Sequence, residues 1–426
     1  MDYRSATGLN IAVIGGGVAG LTAALLLRER HRVTLFEKND YIGGHTNTVA
    51  ITDGPDAGTP VDTGFIVLNN KTYPLFNRLL KRLDCPIRDS DMSFGYSDER
   101  TGLQYAGTGI GGLFAQRRNL FSPGHWQFLR GIARFCRTAR ADLAAGRLAG
   151  LTVGQYLDAQ GVSARVREAY ILPMAGAIWS SSLRDIAGFP AEMMVRFWEN
   201  HGLLSLEDRP QWQTVVGGSQ AYVRKALTLL AGAYRVNAGV ESVTRRPSGV
   251  LVQPRGHAAQ EFDAVVLAAH ADESLRMLAD PSPDEQRLLG AWRYLSNHTV
   301  LHSDDALMPP NRRAWASWNY RRHAGLDAAT PVTLTYHMNR LQGLQTARAY
   351  FVSLNSPRPP RPDTVVREIH YTHPLFTFDA LRAQDQLPRL NGGNRTFFCG
   401  SYFGYGFHED AVRSGAAVAQ QFGIAL

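Results

Sequence analysis

Residues 10–20 read NIAVIGGGVAG, an apolar strand that runs straight into a G-x-G-x-x-G turn. Strong helix formers follow from Leu21 to Arg30. HRVTLFE at 31–37 then reads as a second strand closing on Glu37. This is a complete βαβ unit, which a lone glycine triplet would not establish. Gly15 serves the tight turn, Gly17 lets a pyrophosphate approach the backbone, and Gly20 lets helix and strand pack closely. Val18 and Ala19 open the helix, whose free N–H groups and positive dipole end face the phosphates. Glu37, at the end of the second strand, is placed to accept from ribose hydroxyls, with Lys38 beside it. The unit predicts an α/β fold with a Rossmann-like dinucleotide-binding domain.

Outward from this unit, the 426 residues suit two or three domains. With 44% hydrophobic and 19% charged residues, disorder, collagen and coiled coil are excluded. Cys85, Cys136 and Cys399 are far apart and odd in number, so they build neither a disulfide framework nor a thiolate metal cluster. The opening MDYRSATG lacks a signal-peptide core, and the apolar run 11–27 is broken by four glycines. The expectation is a cytoplasmic protein, or one that touches a membrane only from the side. Net charge is +8, and residues 112–147 carry seven arginines (117, 118, 130, 134, 137, 140 and 147) against Asp142 alone. An electropositive patch there suits an anionic lipid surface, and nothing resembles a nucleic-acid module.

After Glu37 the chain reads KNDYIGGHTNT, with Gly43 and Gly44 six and seven residues beyond the acid. Here it resembles the flavin amine oxidase superfamily, which includes monoamine oxidases, protoporphyrinogen oxidase and phytoene desaturases and carries E-x5-G-G-R at this place. His45 stands where that family usually has Arg, followed by Thr46. Near the C-terminus, RTFFCG at 395–400 enters a glycine turn, and Glu409–Gly415 (EDAVRSG) resembles the family's E-G-A-x-x-S-G. Ser401 replaces an acid and Asp410 a glycine. The resemblance implies non-covalent FAD held by Gly400, Ser401, Phe407, His408, Glu409 and Ala411. The His408 N–H then faces the pyrimidine end and the helix dipole stabilises reduced flavin. Weaker echoes are WQTVVGGSQAYVRKAL at 212–227, Val243 as the adenine-side valine, and the buried strand FDAVVLAAH at 262–270. Asp62-Thr63-Gly64-Phe65 resembles the flavin-facing strand of desaturase-like members, with an ordinary Asp-initiated turn as the other reading. These motifs imply a three-layer ββα FAD domain assembled from 1–75, 212–284 and 391–426. A mixed sheet-and-helix substrate domain is expected from 76–211 and 285–390.

The substrate segments are rich in aromatic and methionine side chains, such as Met174, Trp179, Met193 and Trp198, which read first as helical core. Trp126–Leu143 reads as a basic amphipathic helix, with Arg130, Arg134, Arg137 and Arg140 on one face and Leu129, Ile132, Cys136, Ala139 and Leu143 on another. It either packs on the domain as a surface helix or faces a membrane. Tyr402, Tyr405 and His408 are candidate catalytic residues beside the flavin. No metal spacing or nucleophilic triad stands out, and His298, His302, His370 and His373 read as structural or solvent-facing.

The strings GGHTNT, WNY (318–320), TYHMNRLQ (335–342) and GYGFHEDAVRSG (404–415) most resemble a bacterial branch of the superfamily. That branch is associated with cyclopropane-fatty-acid-synthase-type methyltransferases and includes a desaturase of methyl-branched acyl chains in furan fatty acid synthesis. The resemblance implies an FAD-dependent desaturase of a fatty-acyl, phospholipid-esterified substrate, a methyltransferase as functional partner, and reoxidation by O2 or another acceptor. Open alternatives are a flavin-dependent double-bond isomerase, an amine oxidase, and a lipid-binding partner that retains FAD without turnover.

Overall fold

The computed structural model describes residues 2–205 and 209–426. At its centre is a five-stranded parallel sheet made of β1 (Asn10–Ile14), β2 (Arg32–Phe36), β3 (Tyr234–Arg235), β4 (Ala264–Leu267) and β5 (Thr396–Phe398), in the order β3-β2-β1-β4-β5. Ile11 to Ile14 and Ala264 to Leu267 are buried throughout. That explains why both read as short uninterrupted apolar runs: a parallel sheet is covered on both faces. Three separated stretches of chain each contribute strands to this one sheet.

Helix α1 (Val18–Leu27) is buried at all ten positions. It lies against the sheet and against the C-terminal helix, so no polar face is needed. The close approach depends on small residues: a Cβ at Gly415 of that last helix would sit 2.4 Å from the Ala19 carbonyl oxygen. On the opposite side lies a three-stranded antiparallel sheet, Val240–Arg245, Val250–Pro254 and Gln260–Phe262. Phe262 meets Phe36 edge-on at 5.9 Å. Helix, parallel sheet and antiparallel sheet form the expected three layers.

Helix α2 (Pro74–Arg82) spans residue 75, and its buried Phe76, Leu79 and Leu80, beyond that residue, join the same apolar cluster as β1 and α1. Nucleotide-side packing therefore runs past the expected boundary at residue 75. The second region is a seven-stranded mixed sheet in the spatial order 365–375, 293–302, 351–354, 334–337, 318–322, 94–98 and 104–106. Its helices include α3 (Pro123–Ala144), α4 (Ala191–Asn200) and, on the nucleotide side, α5 (Gln220–Leu230) and α6 (His408–Gln421) complete the set used below. Among the described residues no helix is long and apolar enough to cross a membrane.

The amphipathic pattern of α3 is divided between two environments. Phe128, Phe135 and Ala139 are buried in the protein core. Leu129, Ile132, Cys136 and Leu143 line a large cavity. The arginines are exposed, and Arg137 and Arg140 also line the cavity. The apolar face of the helix therefore roofs a cavity, which neither of the two sequence readings foresaw.

Candidate functional site

The cavity has a volume of about 3130 Å³, several times the roughly 300–1,000 Å³ of an ordinary small-molecule pocket. It has room for a dinucleotide and a second ligand together. Gly15, Gly17, Val18 and Ala19 form one end of its wall. Gly15 has φ +112°, and a Cβ there would press to 2.7 Å from the Ala268 carbonyl oxygen. Gly17 differs, since a Cβ would meet nothing within 4 Å. The turn is packed from behind and empty in front, where a ligand's phosphates would approach the N-terminus of α1.

Glu37 closes this end. Its carboxylate accepts from Gly16 N at 2.8 Å and from Asn39 N at 2.9 Å, and it lines the cavity while almost fully buried. Four lone-pair sites with two backbone donors leave capacity for ribose hydroxyls. Asn237 to Val240 run alongside, with Ala238 N donating to Glu37 O at 2.8 Å. Lys38 also lines the cavity and pairs with Glu273 at 2.6 Å. Gly43 N donates to Gly16 O at 2.9 Å, which lays the Gly43-Gly44 turn on the glycine loop.

Gly44, His45, Gly64, Phe65, Gly400, Ser401, Phe407, His408 and Ala411 continue the wall toward the second region. Gly64 must be glycine because a Cβ would fall 2.2 Å from His45 O. Asp62, just before it, is buried and accepts from Ser219 N and Oγ, both at 2.8 Å, and from Gln342 Nε2 at 3.1 Å. Desolvation pushes its pKa up to about 6. Gln342 of the TYHMNRLQ string thus holds the strand that carries Gly64. Asp410 accepts from Tyr405 N and Phe407 N at 2.9 and 3.1 Å, closing the loop that leads into α6. That bonding gives a reason for an acid where the resemblance implied glycine.

Next to Gly44 stands a wall of histidines. The His45 ring stacks on Tyr371 at 4.9 Å and meets His373 at 5.2 Å and His270 at 6.4 Å. Burial holds His45 well below the usual imidazole range, and burial also pushes His373 down to about 4 and lowers His270. The wall is therefore neutral and aromatic, where the resemblance implied an arginine. His45 Nε2 is buried without a protein partner.

The structure separates the expected site residues into two groups. Those named above lie in the cavity wall, and Tyr402 joins them, its hydroxyl buried without a partner. The others lie behind the wall. Gly20 is packed against Gly15 O, 2.0 Å from where its Cβ would be. Thr46 Oγ1 bonds to Tyr222 OH at 2.5 Å and His408 Nε2 at 3.0 Å. Thr63 Oγ1 bonds to Asn47 O at 2.9 Å and Tyr371 OH at 2.8 Å. Val243 is fully buried and pairs across to the Leu278 segment, while Val240 is the valine in the wall. Glu409 caps α2, accepting from Leu75 N and Phe76 N at 3.0 and 2.9 Å, as expected of an anion at a helix N-terminus.

The candidate catalytic tyrosine Tyr405 is also outside the wall. Its ring packs on Phe197 at 5.7 Å and its carbonyl accepts from Trp179 Nε1 at 3.3 Å. The His408 ring stacks on Phe65 at 3.6 Å, its Nε2 is engaged by Thr46, and desolvation pushes its pKa down to about 3. It is a positioning group and does not carry charge. Sequence reasoning assigned no site role to His270, Tyr371 or Asn237–Ala238, although the buried strand ending at His270 and the stretch around Val243 gave a signal, and His373, expected to be structural or solvent-facing, lines the cavity. His302 is structural, with Nε2 at 2.8 Å from Ser353 Oγ.

These residues fit FAD. Gly15–Ala19 would hold its pyrophosphate, Glu37 its ribose, and Asn237–Val240 its adenine end. Gly44, Phe65, Gly400, Ser401 and the N-terminus of α6 would hold the flavin. The flavin containing amine oxidoreductase family matches residues 18–303, about two thirds of the chain. The chain is 28% identical over 297 residues to AofH of Mycobacterium tuberculosis, by name a flavin-containing monoamine oxidase. That alignment covers 67% of this chain and 62% of AofH, so the chain spans less than two thirds of the relative's length. Putrescine oxidase bound to putrescine is similar in structure, with TM-score 0.69 and 18% identity over 97% of this chain and 98% of that one. A CLA-producing fatty acid isomerase from P. acnes is similar with TM-score 0.64 and 15% identity, over 96% and 97%. At these identities the structural likeness is one of fold. With the family's match running from the start of α1 through the roof of the cavity and into the second sheet, the protein belongs to the flavin containing amine oxidoreductases.

Proposed function

We propose that the protein desaturates an apolar acyl chain, methyl-branched and esterified in phospholipid. The observation that carries this reading is the lining of the cavity. Besides the flavin end it takes in Met92, Phe94, Tyr170, Met174, Ile178 and the apolar face of α3. Exposed Arg137, Arg140, Arg196 and Arg209 belong to the same lining, Arg140 paired with Glu199 at 2.9 Å and Arg196 with Glu192 at 2.6 Å. Thioether, aliphatic and aromatic walls suit a hydrocarbon chain. Arginines in the lining favour a phosphate or carboxylate headgroup and oppose an entering ammonium. This favours a lipid over the amine named for AofH or putrescine oxidase.

Bound FAD supplies an acceptor for a hydride, which carries both electrons of the oxidation. The chain's own residues do the rest by geometry. The apolar walls strip water from the hydrocarbon and hold one C–H bond toward the flavin end. The helix N-terminus of α6 and the neutral His45–His373 wall set the electrostatics there. A hydride leaves to the flavin and a proton leaves the neighbouring position to water, and a methyl-substituted alkene becomes a conjugated diene. A methyltransferase that installs the methyl branch is the functional partner this substrate requires.

The test is anaerobic mixing of the holoprotein with a methyl-branched, monounsaturated phospholipid, followed by mass spectrometry. Bleaching of the flavin and a product two hydrogens lighter are expected. An altered double bond at unchanged mass would make the protein an isomerase. Bleaching by amines and not by lipid would make it an amine oxidase.

A further inference from the structure

The described residues include six large apolar side chains that are markedly exposed, and four of them fall between residues 110 and 126. Ile110 is 76% and Phe121 88% exposed, with Leu120 and Trp126 beside them. They sit on adjoining turns, the Ile110–Leu113 turn being held to the start of α3 by His125 Nε2, 3.0 Å from Leu113 O. The Trp126 indole donates to Leu120 O at 2.9 Å and its ring lies 5.0 Å from Phe114, so the 117–121 turn is tied to the start of α3. Trp126, Arg130, Arg134 and Arg137 then follow at helical spacing along one exposed stripe.

Charge along this stretch of chain is almost all of one sign. Residues 101–147 contain a single acid, Asp142. It is buried, accepting from Arg147, Tyr156 and Gln160 at 2.7 to 2.9 Å. Arg140 pairs with Glu199 at 2.9 Å. Arg117, Arg118, Arg130, Arg134 and Arg137 are all exposed, and among the described residues none of them is in an ion pair. Exposed aliphatic and aromatic anchors, a tryptophan at their edge and an unpaired arginine fringe are the chemistry of a surface that enters the headgroup region of an anionic bilayer.

We propose that this face docks the protein on an anionic phospholipid bilayer, with Ile110 and Phe121 as the inserting side chains and the α3 arginines on the headgroups. Gly107, Gly109 and Leu113 on one side of the patch, and Ala133 and Arg137 on the other, line the cavity. Docking therefore brings this part of the cavity lining to the membrane surface. A lipid tail could then enter without crossing water, a consequence that rests on the acyl reading above, whereas the docking itself does not.

The experiment is sedimentation of the holoprotein with vesicles of phosphatidylcholine alone or mixed with phosphatidylglycerol. Binding to the mixed vesicles is expected to be at least tenfold tighter and to fall at high salt. The pair Ile110→Asp and Phe121→Asp, and separately the triple Arg117→Glu, Arg118→Glu and Arg130→Glu, should each weaken it tenfold or more at unchanged FAD content. Equal binding to both vesicle types, or binding unaffected by either set, overturns the proposal. So does self-association without vesicle binding that the same variants abolish, which would assign the face to a second copy of the chain. Oxidation of detergent-dispersed lipid measures the acyl reading apart from docking, because none of the altered residues lines the cavity.

Discussion

Gly17 and Gly20 lie three residues apart in one motif, and the structure gives alanine opposite consequences at the two positions. Gly17 has φ −68° and ψ 174°, which alanine adopts freely, and its Cβ would meet nothing within 4 Å. The Gly17→Ala fold should keep its FAD-free stability to within about 0.5 kcal/mol. The added methyl instead fills the space that the pyrophosphate needs. Overpacking costs about 1–3 kcal/mol, which corresponds to roughly 5- to 140-fold weaker FAD. At Gly20 the Cβ would lie 2.0 Å from Gly15 O and 3.1 Å from the Ala268 Cβ. Helix α1 would have to lift off the turn, at a cost that exceeds the ~1 kcal/mol alanine gains inside a helix. Gly20→Ala should therefore lower the unfolding midpoint even without FAD. The assay is thermal unfolding of both variants with and without excess FAD, alongside fluorescence titration of FAD. Wild-type FAD affinity in Gly17→Ala, or an equal loss of FAD-free stability in both variants, would refute the reasoning about this turn.

Glu37→Ala removes the acceptor for Gly16 N and Asn39 N. Its charge-assisted hydrogen bonds are worth about 1.5–3 kcal/mol each, so FAD content after gel filtration should drop at least tenfold; unchanged content would refute the ribose assignment. His302 is buried, its Nδ1 accepts from Asp304 N at 3.1 Å, and desolvation pushes its pKa down to about 4. A depressed histidine stabilises the fold above its unfolded pKa of about 6.5. That contribution is lost as pH falls from 6.5 through 4, at most about 3 kcal/mol. His302→Gln should flatten denaturation midpoints across this window, and curves parallel to wild type would contradict it. FAD should be released entirely by acid precipitation, since Cys399 is fully buried with its thiol pushed up to about 12 and does not line the cavity. Colour retained in the pellet would show a covalent link.

What the sequence by itself determined was local in the chain. The β1–α1–β2 unit, its glycines and Glu37 act within some thirty residues, and the turn into α1 follows from local backbone geometry, although Ala268, just past the distant strand β4, also packs against Gly15 and Gly20. The helical period of α3 was equally plain, as was the arginine excess on its outer side. Tertiary structure decided what each pattern faces. An apolar helical stripe reports burial without naming the neighbour, so Leu129, Ile132 and Cys136 gave no sign that they roof a cavity. Val240 and Val243 lie on one strand with a register shift between Val240 and Ser242, and only the partner strand settles which of them reaches the cavity. His45, His270 and His373 are more than a hundred residues apart in every pairing, yet they form one wall because the end of β4 and the 365–375 strand meet beside the Gly43-Gly44 turn. Glu409 matches a cofactor motif, but the start of α2 leaves two amides at hydrogen-bonding distance from it, and its carboxylate is used there. These outcomes depend on which surfaces the packed sheets bring together, and residue type and local spacing carry no record of that.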